Sequence, residues 1–268
     1  MHIKENLIQQ LINLGIEPND TIMVHASLRA IGKVLGGPDQ VLLAIIEAIA
    51  PHGTLMMYVG CEPEYEAVGR GNISTEEEQH ILQYCPAFDP TTARARCDYG
   101  ALAEFFRSLP GVICSTNPGA RMAAMGSKAN WLLAEHPLQY GYGPDSPLAS
   151  FYEASGKVLL LGSDLDQVTL LHYAEHIAPI TEKRVVRFKV PLLQNDQRQW
   201  RDVEEYDTGM GIRQWPERFF AEIVKNYLNT YKINVGKVGN ADSLLLDARQ
   251  LVDFAIPIFV EAANIHSC

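Results

Sequence analysis

Within the run Gln167-Val168-Thr169-Leu170-Leu171-His172-Tyr173-Ala174-Glu175-His176, three groups that can move or hold a proton recur at helical spacing. Thr169, His172 and Glu175 are three residues apart, so on a helix each reaches the next along one flank. An imidazole titrates near neutral pH, and a carboxylate one turn away can orient it, which is the equipment of a general base. The same stretch spells H-x-x-E-H from His172 to His176, the inverted zinc-peptidase motif. There both histidines would bind zinc and Glu175 would serve as base. No motif signals a third ligand, so metal-free proton transfer is the leading reading and a zinc hydrolase the alternative.

Other candidate groups are less specific. Gly36-Gly37 before a helix can offer backbone N–H groups to a phosphate, but two glycines also make an ordinary turn. The segment has neither GxGxxG nor GxxxxGK[ST] spacing, so nucleotide binding of either kind lacks support. Ser27, two residues after His25, does not sit in GxSxG, so no hydrolase elbow is indicated. Glu204-Glu205-Tyr206-Asp207 and Glu62, Glu64, Tyr65 and Glu66 are acidic runs with an embedded aromatic. Such runs usually form solvated faces, yet they also suit an amine-rich ligand.

The elements that must position these residues follow from periodicity. Ile3, Leu7, Leu11 and Leu14 mark an amphipathic helix ending at Gly15. Thr21 to Val24 reads as a strand, His25 to Leu35 as a connection, and Pro38 to about Ala50 as a helix with Pro38 in its first turn. Thr54 to Tyr58 is the next strand, parallel to the first. Lys157 to Gly162 is apolar and reads as a buried parallel strand, and Asp164 or Asp166 is placed to cap the helix bearing His172. That puts the imidazole beyond the carboxyl end of a strand, where open α/β sheets bind ligands. Cys61 to Asp98, with a short helix near Thr75 to Leu82, is a connection long enough to be a lid or binding loop. Tyr99 to Ser108 is helical. A strand near Arg184 to Val190, a polar segment from Gln194 to Ile212, and a helix from Glu217 to Tyr231 follow. The chain closes on a strand at Leu244 to Leu246 and a helix from Ala248 to Ala263, which Pro257 should kink or divide. The expected architecture is a single three-layer α/β/α domain over residues 1–268, with a largely parallel or mixed sheet.

Composition narrows the function. An apolar content of 47% in 268 residues supplies a large core. A net charge of −10 argues against nucleic acid as the main partner and is compatible with a cationic one. The N-terminus lacks a signal peptide, and no apolar run could span a bilayer. Five cysteines without a CxxC pair read as free thiols of a reducing, cytoplasmic compartment.

The run His25-Ala26-Ser27-Leu28-Arg29 through Ile31-Gly32, Val34 and Gly36-Gly37 closely resembles the N-terminal signature of the aminoglycoside 3-N-acetyltransferases. So do Pro86-Ala-Phe88-Asp89-Pro90, Gly143-Pro-Asp-Ser146-Pro147, Leu160-Leu161-Gly162, the His172 run, Lys183-Arg184 and Glu205-Tyr206-Asp207. The resemblance covers essentially the whole chain, in order. It implies a fold distinct from the common N-acetyltransferase fold, with acetyl-CoA as cosubstrate and a polycationic aminoglycoside acetylated on its 3-amino group. By position it makes His172 the base and Glu175 its orienting partner, while Thr169 is placed equally to donate to developing charge or to cap the helix. It assigns His25, Ala26, Ser27, Leu28, Arg29, Val34, Gly36, Gly37 and Ser115 to the coenzyme, and Tyr65, Glu66, Asp89, Glu205 and Asp207 to the acceptor, with no metal. Asn117-Pro118 stands where the family often has His-Pro, a contact expected on the coenzyme side, and Cys61-Glu62-Pro63 replaces a family tryptophan. An acetyltransferase acting on a different amine, and a module that binds without turnover, are the remaining alternatives. A homodimer is left open.

Overall fold

The computed structural model describes residues 1–265. The apolar residues of three adjacent strands settle its layering. Ile22, Val24, Leu55, Met57, Leu159 and Leu161 pack into one core cluster, whereas Met23, Met56, Val158 and Leu160 pack into another. Alternation along a strand sends neighbouring side chains to opposite faces, so both faces of this sheet are covered. The strands are β1 (Thr21–Ala26), β2 (Thr54–Tyr58), β3 (Ile113–Cys114), β4 (Met122–Gly126), β5 (Lys157–Leu161), β8 (Gly236–Val238) and β9 (Ala241–Asp247). They form one seven-stranded sheet in the order β3-β4-β2-β1-β5-β9-β8. Only β1–β2 and β1–β5 are parallel, and the other pairs run antiparallel, so the sheet is mixed.

One face carries α1 (Lys4–Leu14), α2 (Leu28–Ile31), α3 (Pro38–Ala48) and α5 (Ala101–Arg107). The other carries α6 (Ala129–Leu132), α7 (Pro147–Glu153), α8 (Leu170–Ile177), α9 (Phe219–Tyr231) and α10 (Ala248–Ile265). Helix α4 (Thr75–Tyr84) lies within the long 61–98 connection. Among the described residues, no helix is long and apolar enough to cross a membrane. Cys61, Cys85, Cys97 and Cys114 are free thiols, and Cys268 lies outside the described residues.

Several expectations need correction. The 25–35 connection contains the last turn of β1 and helix α2, whose N-terminus is capped by Ser27 Oγ accepting from Ala30 N–H at 3.3 Å. The polar 194–212 segment contains β7 (Gln197–Tyr206), paired antiparallel with β6 (Val185–Gln194) as a separate two-stranded sheet. Of β7's side chains, Val203 and Glu205 are buried, so it lacks the alternating apolar pattern that betrays a strand. Helix α10 runs unbroken through Pro257. Pro257 and Asp253, whose carbonyl loses its partner, are both exposed, while Leu251, Val252, Ala255 and Phe259 are buried on the opposite side. Water can satisfy that carbonyl, and the packed face holds the helix together.

Candidate active site

Strand register brings the first elements of the site together. Pairing of His25 with Leu160 and Ala26 with Leu161 makes β1 and β5 end side by side. Ser27 N–H donates to Leu161 O at 2.9 Å, and Ser163 Oγ donates to His25 O at 3.2 Å. Asp164 does not cap α8. Its carboxylate accepts from Asp166 N–H at 2.9 Å and closes a 3₁₀ turn over Leu165–Gln167. Thr169 sits at the head of α8 with helical backbone angles and no side-chain capping bond, so the capping account of Thr169 falls.

One turn into α8, His172 Nδ1 lies 2.7 Å from Glu175 Oε1. Ionised, that carboxylate only accepts, so Nδ1 carries the hydrogen and the lone pair is left on Nε2. Glu175 is fully buried, and its other oxygen accepts from Trp215 Nε1–H at 2.7 Å. A buried carboxylate is costly unless its oxygens are met, and here both are. Gly211, at φ 80°, makes room for that indole, because a side chain there would collide with the Trp215 ring. The His172 ring packs between Tyr142 and Phe220, at centroid distances of 5.1 and 4.9 Å.

His176, the second histidine of the zinc-like pentad, is engaged at both nitrogens. Nδ1–H donates to His172 O at 2.7 Å, and Nε2 lies 2.8 Å from Glu205 Oε1. Ligating a metal would break one of these bonds. Among the described residues, no group of three or more His, Cys, Asp or Glu side chains converges as a zinc site requires.

Two clefts meet beside His172. The first, of about 600 Å³, is lined by His25, Ala26, Ser27, Asp164, Thr169 and His172. The second, of about 390 Å³, is lined by Glu66, Arg70, Arg96, Asn117, Phe188 and Glu205. Tyr58, Tyr99, Tyr142 and the Thr208-Gly209 turn belong to both walls. The partition is fixed by the Tyr58 hydroxyl donating to Gly119 O at 2.6 Å, with the Tyr142 hydroxyl 3.0 Å from that of Tyr58. Burial, the first cause in each case, drives both phenols well above their ordinary pKa, so they stay protonated.

Of the residues expected at the coenzyme, His25, Ala26 and Ser27 line the first cleft. His25 Nε2 is buried there without a hydrogen-bond partner, and desolvation pulls its pKa down to about 4. Leu28, Arg29, Val34, Gly36 and Gly37 lead away along α2 and the turn into α3, outside the lining, and Val34 is part of the core. Ser115 is also elsewhere: its Oγ accepts from Met122 N–H at 2.9 Å where β3 meets β4. Asn117, expected on the coenzyme side, instead lines the second cleft. There it donates to Pro137 O at 2.7 Å and accepts from Ala120 N–H at 3.0 Å.

Of the residues expected at the acceptor, Glu66 and Glu205 line the second cleft. Tyr65 turns its ring to Phe88 at 5.4 Å, and Asp89 spends its carboxylate on Thr91 and Thr92, bonds that lower its pKa. Asp207 pairs with Arg184 at 2.8 Å. Trp215, Tyr142 and Tyr58 escaped the sequence reading, since each lies far along the chain from the groups it contacts. An indole N–H that needs an acceptor is the one signal Trp215 gave.

The family model described as aminoglycoside 3-N-acetyltransferase matches residues 23–259. Aminoglycoside N(3)-acetyltransferase III of Pseudomonas aeruginosa is 41% identical over 258 residues, which cover 95% of this chain and 92% of that protein. Aminoglycoside N(3)-acetyltransferase IX of Micromonospora chalcea is 36% identical, over 94% of this chain and 92% of its own. Among solved structures, AAC-IIIb in binary complex with CoASH aligns with a TM-score of 0.89 at 42% identity, covering 97% of this chain and 96% of that one. AAC-VIa bound to sisomicin aligns with a TM-score of 0.87 at 38% identity, covering 95% and 96%.

Proposed function

The chain belongs to the aminoglycoside 3-N-acetyltransferase family and is an acyltransferase, and from that premise we propose its reaction and the residues that carry it. It transfers acetyl from acetyl-CoA to the 3-amino group of a 2-deoxystreptamine aminoglycoside, and so confers resistance. His172 is the general base. The observation that carries this reading is the Glu175–His172 bond at 2.7 Å beside a cleft wall shared with a second cleft.

An amine must shed a proton as it attacks a thioester carbonyl, and the Nε2 lone pair of His172 can take it. Glu175, held by Trp215, keeps the tautomer and stabilises the imidazolium that forms. The thiol leaves readily because its pKa is about 8.5. Thr169, in the first cleft and without a capping duty, is available to donate to the oxyanion. The first cleft takes the acyl-donor arm, and the orphaned His25 Nε2 fits it as a polar contact for that arm. The relative AAC-IIIb binds CoASH and AAC-VIa binds sisomicin, which supports assigning one cleft to each substrate.

Thiol release from acetyl-CoA against a panel of aminoglycosides, with product regiochemistry by NMR, tests the proposal. Acetylation at the 3-amino group is expected. Acetylation of another amine, or no aminoglycoside-dependent release, overturns it.

A further inference from the structure

The second cleft carries its own cations. Its charged lining is Glu66 and Glu205 against Arg70 and Arg96, so the wall assigned to a polycation is close to neutral. Glu205 is already committed, with Oε1 near His176 Nε2 and Tyr206 N–H and Oε2 accepting from Gly141 N–H at 2.6 Å. Arg96 is committed to Asp98 at 2.7 Å. Glu66 is therefore the lining carboxylate with capacity left for an ammonium group. It is wedged against the backbone of Gly119, where any Cβ would overlap its Oε1, so its position in the cleft is fixed.

Arg70 holds that carboxylate loosely. Its Nη2 stands 3.4 Å from Glu66 Oε1, longer than a well-formed charge-assisted bond. The side chain is anchored elsewhere, by Nε donating to Glu66 O at 2.7 Å and by the guanidinium lying 3.8 Å over the Phe188 ring. Burial, the largest influence, raises the Glu66 pKa against the lowering effect of Arg70, which marks a carboxyl short of cationic partners.

We propose that Arg70 is a resident cation beside Glu66 with which an incoming ammonium group competes, which makes it a specificity-determining residue for multiply charged acceptors. The inference rests on assigning the second cleft to the acceptor. An ion pair this long, with side chains only 28% and 22% exposed, is weak, so the effect is a tuning of affinity and not an on–off switch.

The test uses the whole chain, with sisomicin titrated calorimetrically and acetylation followed in parallel. Arg70→Met keeps an aliphatic side chain of similar length beside Phe188 and removes the charge together with the guanidinium contacts to that ring and to Glu66 O. It should lower Kd and KM about three- to fivefold, the size of one weak ion pair, with kcat within about twofold. Glu66→Gln added to Arg70→Met should remove most of the gain. If Arg70 were only a strut for the 61–98 connection, Arg70→Met would raise KM, and an unchanged or raised Kd overturns the proposal. Should Arg70→Met misfold, Arg70→Gln serves for the same comparison. Wild type that binds sisomicin without acetylating it overturns the function proposed above while the Kd comparison still reads Arg70. No binding by either protein overturns both.

Discussion

The two clefts share a wall of tyrosines, yet they are built from different material. The first opens at the ends of β1 and β5 and the head of α8, elements locked by sheet pairing and a continuous core. The second is assembled from the 61–98 connection, the loop at Asn117 to Ala120, and the β6–β7 hairpin. These pieces are held by polar side chains that grip backbone. Arg121, fully buried, donates to the carbonyls of Pro90 at 2.6 Å and Ala93 at 2.9 Å, while Glu205 and Asn117 pin Gly141 and Ala120. A cleft made of strand ends inherits its shape from the fold, whereas one made of loops owes its shape to individual bonds. The loop-built cleft should therefore be the easier one to retune.

Four experiments press on that contrast. The largest effect is expected at the base that lines the first cleft: His172→Ala should lower kcat by roughly a thousandfold, the range for losing a general base. Calorimetric CoA binding should persist, and a matching loss of CoA affinity would make His172 a structural part of the first cleft.

Next comes Arg121→Met, which strands buried carbonyls and should cost about 3 kcal/mol in thermal unfolding. Acceptor KM should rise several-fold with the donor Kd unchanged. Equal movement of both constants would show that the clefts are one mechanical unit.

Trp215→Phe removes the donor to Glu175 Oε2 and leaves that oxygen buried and unmet. We expect kcat to fall about tenfold, equivalent to about 1.4 kcal/mol, with both substrate affinities retained. Unchanged turnover would remove Trp215 from the orientation of the dyad.

The fourth experiment concerns acid. Burial opposes ionisation of Glu104, but bonds from Arg107, Ala95 N–H and Arg94 outweigh it and hold the pKa at about 2. Arg94 and Ala95 belong to the long connection, so Glu104 ties the loop-built cleft to α5. A carboxylate depressed in the folded state adds stability above its unfolded pKa of about 4.5 and loses it as pH falls toward 2. With solvent screening the term is about 1–2 kcal/mol. Thermal melts of Glu104→Gln should converge on wild type as pH falls to about 2 and fall short of it above pH 5. A constant offset across that range would refute the linkage.

Local pattern carried most of the strand-built half. The apolar spacing of α1 and α3, the runs TIMV, TLMMY and KVLLL, and the i, i+3 placement of His172 and Glu175 are all readable without a structure, because each records burial within one element. Outside those runs the traces are weaker. β4, Met-Ala-Ala-Met-Gly, has no β-branched residue and is a strand because β2 and β3 pair with it on either side. β7 sets Trp200, Val203 and Tyr206 three residues apart among polar ones, so no alternation marks it as a strand.

The sequence by itself determined which residue types could do the chemistry, the elements that carry them and the sheet-flanking layers, since these depend on contacts a few residues apart. Tertiary structure alone decided that Asn117 faces the second cleft, that His176 is engaged by Glu205, that Trp215 completes the dyad, and that Leu28, Arg29, Val34, Gly36 and Gly37 stand outside the lining of the first cleft. Those outcomes join positions tens of residues apart, where the partner is chosen by how the layers close on one another and leaves no periodic mark on the chain.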